Sequence, residues 1–165
     1  MCFFVEINLS RKELNKRFNV PVREDPRYMP GYFHAAFNKP FLPVITSLEP
    51  ELVSFFQWGL IPRWIRDETG AEKIQKATFN ARGESLWEKP SFRSSINQKR
   101  CMVLSHGFFE WHTRNDGKKI PYYIKKVDNK PFAFAGLFDT WTNPGTGDIH
   151  ETFSIITTKA RSEER

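Results

Sequence analysis

The sequence CMVLSHGFFEWH, residues 101–112, holds two short apolar runs joined by Ser105-His106-Gly107. Three more runs follow: PYYIKKV (121–127), FAFAGLFDTW (132–141) and ETFSIITT (151–158). Between them lie Asn115-Asp116-Gly117 and Asn143-Pro144-Gly145, which are typical of tight turns. Short strands separated by tight turns predict that sequence neighbours pair antiparallel.

The first half of the chain adds strands and a few short helices. Residues 3–9 predict a strand, and Ser10 with Glu13 forms a capping box that predicts a helix over residues 11–18. Residues 41–46 and 52–58 predict two further strands, and residues 71–76 a short helix. Residues 19–40, which contain four prolines, predict an irregular loop.

These elements together predict a single α+β domain over residues 1–165. Its core is expected to be a curved, largely antiparallel β-sheet or barrel, accompanied by a few short helices. A chain of 165 residues is long enough to bury a sizeable core.

Composition and charge narrow the class of protein. The sequence contains no run of 18 or more apolar residues, so it predicts no membrane span. Glu6 interrupts the apolar N-terminal stretch, so we expect no secretion signal. We therefore expect a cytoplasmic protein, associated with the nucleoid if the source is bacterial. The net charge of +6 favours a polyanionic partner, and the 15% of aromatic residues could stack on unpaired bases or form core.

The start, Met1-Cys2, is the first candidate for chemistry. Removal of Met1 would leave a cysteine with a free α-amine, which is a 1,2-aminothiol. The amine can attack an aldehyde and the thiol can then close a five-membered ring. The alternative is that Cys2 has no role beyond its place after the start.

Two polar groups lie in motifs that suit them to help such chemistry. One motif is Asn80-Ala81-Arg82-Gly83-Glu84. Its amide could hydrogen-bond a reacting group and its guanidinium could bind phosphate. Alternatively, the motif is a loop with a local ion pair. Glu110 lies in the aromatic strand Gly107–Trp111, where alternation places it on the face of Phe108. It is either an acid–base residue with apolar neighbours or a solvent-facing glutamate.

The segment Trp58-Gly59-Leu60-Ile61-Pro62-Arg63-Trp64 is the candidate nucleic-acid rim. Exposed tryptophans beside arginine could stack on bases, whereas a core corner is the alternative, above all for Trp58. The four histidines and two cysteines lack zinc-site spacing, and no phosphate-binding glycine-rich loop is present, so we expect neither metal nor cofactor.

The ordered set of motifs resembles the SRAP family of abasic-site processing proteins over nearly the whole chain. The resemblance rests on the Cys2 start, the segments 58–64 and 80–84, and four strands: Arg100-Cys101 leading to Gly107–Trp111, Pro121–Ile124, Phe134–Trp141 and Phe153–Thr158.

The resemblance implies a DNA-damage (SOS) response protein that sheds Met1 by its own peptidase activity. It would bind abasic sites in single-stranded DNA as a monomer and form a covalent thiazolidine crosslink through Cys2, a lyase-like chemistry. It implies that Asn80 and Glu110 act with Cys2. It also implies that DNA is bound by Arg82, Trp64, Trp58 and Arg63.

The sequence departs from the family pattern in two places. Cys2-Phe3-Phe4 replaces the family's Cys-Gly-Arg, so an arginine contact to DNA is missing. The family's His-x-Arg-Met-Pro segment, whose histidine is a catalytic partner, has no counterpart in residues 159–165, so we expect either a C-terminal truncation or an impaired copy. Two alternatives stay open: an N-terminal-cysteine peptidase or amidohydrolase, and a non-covalent module that binds single-stranded nucleic acid.

Overall fold

A computed structural model describes residues 2–159. The α-helices are α1 Arg11–Phe18, α2 Glu68–Ala77 and α3 Pro90–Arg93. The strands are β1 Phe4–Ile7, β2 Gly31–Ala35, β3 Phe41–Thr46, β4 Val53–Trp58, β5 Asn80–Arg82, β6 Arg100–Ser105, β7 Gly107–Thr113, β8 Lys119–Lys125, β9 Phe132–Thr142 and β10 Ile149–Thr157.

Five of the strands close into a barrel. Strand β3 pairs antiparallel with β4 and β6, β6 with β9, and β9 with β10. Strand β10 then pairs parallel with β4, which completes the ring. The predicted largely antiparallel, barrel-like core is thereby confirmed.

Strand β10 changes partner along one edge, and this change brings β5 to the barrel. Thr152 and Phe153 pair with β4, whereas Ile155, Ile156 and Thr157 pair with β5. The switch occurs at Gly59, whose φ of +104° turns the chain out of β4 while its N–H still bonds Phe153 O at 2.9 Å. Glycine is required there, because a Cβ would lie 2.6 Å from Cγ of Gln75.

A second sheet lies beside the barrel in the order β2-β1-β7-β8, with every neighbouring pair antiparallel. Val5 and Ile7 of β1 are fully buried and belong to the same apolar cluster as Leu42, Phe55 and Phe153 of the barrel. One core therefore joins the sheet to the barrel and fixes the N-terminal strand against it.

The predicted helix α1 forms with its capping box. Ser10 Oγ accepts from Glu13 N–H at 3.3 Å, and Glu13 Oε2 accepts from Ser10 N–H at 2.7 Å. Leu14 is buried and Phe18 is partly buried against the same core cluster, so the helix packs onto the core through both side chains. The short helix predicted over residues 71–76 is α2, which extends further at both ends.

The prediction of an irregular loop over residues 19–40 is wrong in its last third. Strand β2 forms there and pairs with β1 through Phe4↔Ala35 and Val5↔His34. Pro30 is compatible with this strand because it lies just before the first strand residue, Gly31. Its missing N–H therefore removes no hydrogen bond between the strands. Strand β2 is an edge strand and largely exposed, so it lacks the apolar run that marks a buried strand.

Candidate functional site

Cys2 lies two residues before the start of β1 and is 5% exposed. Its Sγ makes a weak contact of 3.9 Å with Phe4 O. Burial, and then the negative charge of Glu110, raise the pKa of the thiol to about 12. The side chain is therefore a neutral thiol at neutral pH. The predicted loss of Met1 concerns a residue outside the described range.

Glu110 lies on β7, which pairs directly with β1. Val5 of β1 faces Phe108 of β7, and Glu110 stands two residues further along the same face of that strand. Phe109 and Trp111 point to the other face, where their rings contact Phe33 and Phe4 respectively. The predicted alternation is confirmed, and Glu110 is half-buried at the end of the face that covers the core.

Asn80 opens β5 and has an unsatisfied side chain. It pairs with Ile155 of β10 through the backbone. Its Oδ1 and Nδ2 are both buried, and neither has a hydrogen-bond partner among residues 2–159. Buried amides normally bond something, so this amide has a donor and an acceptor available for a bound group.

A chain of aromatic rings connects the Cys2 segment with the Asn80 segment. The ring of Phe3 stacks on Phe37 at 5.3 Å, and Phe37 meets Phe79 edge-on at 5.7 Å. The carbonyl of Phe79 accepts hydrogen bonds from Trp58 Nε1 at 2.9 Å and from Ile155 N at 3.1 Å. These contacts connect the residue before Asn80 with the residue after Cys2 through the ring of Phe37.

Trp58 does not fit the role of a DNA contact. It is 0% exposed, stacks on Phe153 and belongs to the core cluster. A fully buried ring cannot accept a base, so the direct-contact prediction is corrected to a supporting one. Through its bond to the Phe79 carbonyl, Trp58 helps to place β5.

The loop after β4 presents Arg63 and Trp64 at the surface. Both side chains are exposed, Trp64 by 50%. The backbone beneath them is tied to β9 and β10, because Ile61 N–H bonds Thr152 Oγ1 at 2.8 Å and Arg63 N–H bonds Asp139 Oδ2 at 3.0 Å. Trp141 Nε1 also donates to Ile65 O at 2.8 Å. The loop is therefore a fixed support for an exposed tryptophan.

Sequence reasoning missed part of this surface. Trp64 lines an open groove with Pro90, Arg93 and Ser94 of the α3 region, and Trp87 nearby in the chain is 64% exposed. Asp139, the anchor of the Arg63 backbone, is 1% exposed and pairs with Lys99. A carboxylate within the apolar run of β9 was the signal in the sequence.

Arg82 ends β5 on the exposed rim and pairs with Thr157. Beside it, the pKa of Glu84 is lowered, chiefly by backbone N–H groups of Glu84 itself and of Lys159, and further by the charges of Lys159 and Arg82. Arg82 and Lys159 thus place positive charge on the same rim as Asn80.

Within residues 2–159, no three His, Cys, Asp or Glu side chains are grouped so as to hold a metal ion. None of the helices in that range has the length and apolar character that a membrane crossing needs.

The chain is similar in sequence to a known protein family and to several curated relatives. The whole chain, residues 1–165, matches the family described as SOS response associated peptidase (SRAP). Over 152 residues, covering 89% of this chain, it is 36% identical to the abasic site processing protein YoqW of Bacillus subtilis. Over 161 residues, covering 81% of this chain, it is 30% identical to the abasic site processing protein HMCES of Xenopus tropicalis.

These alignments cover 63% of the length of the Bacillus protein and 47% of the Xenopus protein, so the chain spans less than two thirds of either. A crystal structure of a Bacteroides thetaiotaomicron protein superposes with a TM-score of 0.87 at 40% identity. That superposition covers 98% of this chain and 70% of the other.

Proposed function

Because the chain belongs to the SOS response associated peptidase family, we propose that it captures abasic sites in single-stranded DNA as a covalent adduct on Cys2. The observation that carries the proposal is that Cys2 precedes β1, Glu110 lies on the neighbouring strand β7, and the charge of Glu110 acts on the Cys2 thiol. Cys2, which becomes N-terminal on loss of Met1, is buried, and the negative charge of Glu110 raises the pKa of its thiol. The relatives named as abasic site processing proteins supply the substrate class.

The chemistry follows from the state of each group. The α-amine of Cys2 attacks the C1′ aldehyde of the ring-opened sugar, and loss of one water gives an imine. The thiol then adds to the imine carbon and its proton passes to nitrogen, which closes a thiazolidine. The amine is the first nucleophile, because only nitrogen can form the imine to which the thiol then adds.

The neighbouring side chains have distinct roles in this proposal. Glu110 moves protons between the amine, the departing water and the thiol. The unpartnered amide of Asn80 bonds the opened sugar. Arg82 holds a backbone phosphate on the rim, and Trp64 stacks on a flanking base, with Arg63 beside it.

The test uses a single-stranded oligonucleotide with one abasic site. Wild-type protein should give a shifted band that survives heating in denaturing gels, and a tetrahydrofuran analogue without an aldehyde should give none. Cys2→Ala should abolish the band. Cys2→Ser should form an imine that only borohydride traps, because its hydroxyl closes no thiazolidine. An unchanged heat-stable band from Cys2→Ala would overturn the proposal.

Removal of Met1 by the protein itself is a second activity, favoured by the position of Glu110 beside the residue that follows the scissile bond. Water would cleave the Met1–Cys2 peptide bond and release methionine and the free Cys2 amine. The intact mass of wild type should lack one methionine residue, whereas Glu110→Ala should retain it. Loss of one methionine residue from both proteins would assign the cleavage to another enzyme.

Non-covalent binding of single strands is the remaining alternative, favoured by the exposed Trp64 and Arg82. In that case binding would weaken steeply with salt and would be equal for intact and abasic strands. It would also be indifferent to Cys2→Ala. Fluorescence anisotropy at several salt concentrations separates this behaviour from covalent capture.

A further inference from the structure

The side chain of Tyr123 crosses one strand to reach another. Tyr123 lies on β8 opposite Phe109, whereas Glu6 lies on β1 opposite Gly107, and β7 separates the two. The Tyr123 hydroxyl nevertheless donates a hydrogen bond to Glu6 Oε2. The route runs over Gly107, where a Cβ would lie 2.4 Å from Tyr123 Cε2. Only a glycine leaves this path open.

Glu6 is a junction between several segments. It is 8% exposed, and its backbone carbonyl accepts from His106 N–H at 2.8 Å and from Ser105 Oγ at 2.9 Å. His106 Nδ1 lies 3.8 Å from its Oε1, while His106 Nε2 meets Asn129 O at 2.8 Å. A buried carboxylate needs hydrogen-bond donors, and the Tyr123 hydroxyl is one.

The hydroxyl of Tyr123 remains a donor over the whole neutral range. Desolvation, and then the hydrogen bond to the Glu6 carboxylate, raise the pKa of Tyr123 above its ordinary value. The contact is therefore charge-assisted, a class stronger than the bond between two neutral groups.

This contact matters because the register of β1 on β7 rests on a short ladder. The paired residues are Val5 with Phe108 and Glu6 with Gly107. Cys2 precedes β1, and Glu110 lies further along β7, so both stand beyond the paired residues. A small shift of one strand on the other changes the distance between thiol and carboxylate.

We infer that Tyr123 is a positioning residue, which clamps β1 to the β7–β8 hairpin through Glu6 and thereby fixes Cys2 relative to Glu110. The inference rests on the proposed function, since it concerns the geometry of that same reaction. Misplacement of reacting groups by about 1 Å can slow a reaction about 100-fold, so a modest shift has a measurable effect.

The test separates rate from binding and from folding. Tyr123→Phe removes only the hydroxyl and should slow crosslinking at saturating abasic DNA by about fivefold or more. Its affinity for the tetrahydrofuran analogue should stay within about twofold of wild type, because the DNA-binding rim is elsewhere. Tyr32→Phe, at an exposed tyrosine of β2 in the same sheet, is the matched control and should react like wild type.

A double-mutant cycle tests whether Tyr123 acts through Glu6. Glu6→Gln keeps an acceptor for the hydroxyl and should retain most of the rate, whereas Glu6→Ala should react as slowly as Tyr123→Phe. The double variant Glu6→Ala/Tyr123→Phe should be no slower than either single variant.

Each other outcome has a definite meaning. Wild-type rate in Tyr123→Phe, with Cys2→Ala inactive, overturns this inference and leaves the proposed function standing. A parallel loss of rate, analogue affinity and melting temperature assigns Tyr123 a general structural role and also overturns it. Absence of crosslinking by wild-type protein removes the proposed function, and this inference with it.

Discussion

Glu110 acts on Cys2 through its charge. The two residues are far apart in sequence, yet after burial it is the carboxylate of Glu110 that does most to raise the pKa of the Cys2 thiol. In the proposed reaction, the same carboxylate would serve as the base for the thiol proton during ring closure.

Glu110→Gln should slow crosslinking by about 100-fold or more, because a positioned acid–base group contributes at least that much. It should also lower the pKa of the Cys2 thiol, since it removes a negative charge that disfavours the thiolate. The first effect is read from the time course of the gel shift, and the second from the pH dependence of alkylation in a Cys101→Ala background. Glu72→Gln, at an exposed position of α2, is the control. An unchanged rate would exclude Glu110 from proton transfer.

Asn80→Ala should reduce crosslinking while leaving folding nearly intact. The amide has no hydrogen-bond partner within residues 2–159, so its removal leaves no other buried group in that range without a hydrogen bond. We expect the free energy of unfolding to change by less than about 1 kcal/mol. Urea denaturation and the crosslinking time course are measured on the same preparation. A large loss of stability with unchanged rate would show that the amide has a structural role.

The two tryptophans of segment 58–64 should give opposite phenotypes. Trp58→Ala removes a fully buried ring and should cost about 3–5 kcal/mol of folding free energy. Trp64→Ala removes an exposed ring and should leave the melting temperature unchanged, but weaken single-strand binding by about 1–3 kcal/mol, as for one lost base stack. Thermal denaturation and anisotropy with an undamaged oligonucleotide separate the two. Equal DNA affinities for Trp64→Ala and wild type would remove Trp64 from the binding surface.

Stability should fall as the pH rises above about 9, because of the buried thiols. Burial raises the pKa of Cys101 from 9.0 to about 12, so the unfolded chain loses this proton first. The contribution is fully present below pH 9 and is lost as the pH approaches 12, with a slope of about 1.4 kcal/mol per pH unit. Cys101→Ala should make the stability profile less steep between about pH 9 and 10, and the contribution of the buried Cys2 thiol should remain. An identical slope in the variant would count against a protonated, buried Cys101.

The local signals in the sequence were sufficient for most of the secondary structure. The capping box of Ser10 and Glu13 placed α1, and the apolar runs after Cys101 placed the strands, because both patterns depend on neighbours close in sequence. Strand β2 was not predicted, because an edge strand carries little apolar pattern and the four prolines of residues 19–40 favoured a loop. The parallel pairing of β10 with β4 and β5 was not predicted either, because the pairing of strands far apart in sequence leaves no local sequence signal.

The candidate site divides in the same way. The chemical groups can be read from the sequence: a potential aminothiol at Cys2, a carboxylate on the Phe108 face of its strand, and an amide and a guanidinium in one short motif. Their burial, exposure and proximity depend on the tertiary structure. It buried Trp58, exposed Trp64, left the Asn80 amide unpartnered among residues 2–159, and set Glu110 beside Cys2 through a ladder that Tyr123 clamps from two strands away. The reason is physical, since burial and electrostatic proximity are properties of packing between distant segments, whereas residue type and periodicity are properties of the chain alone.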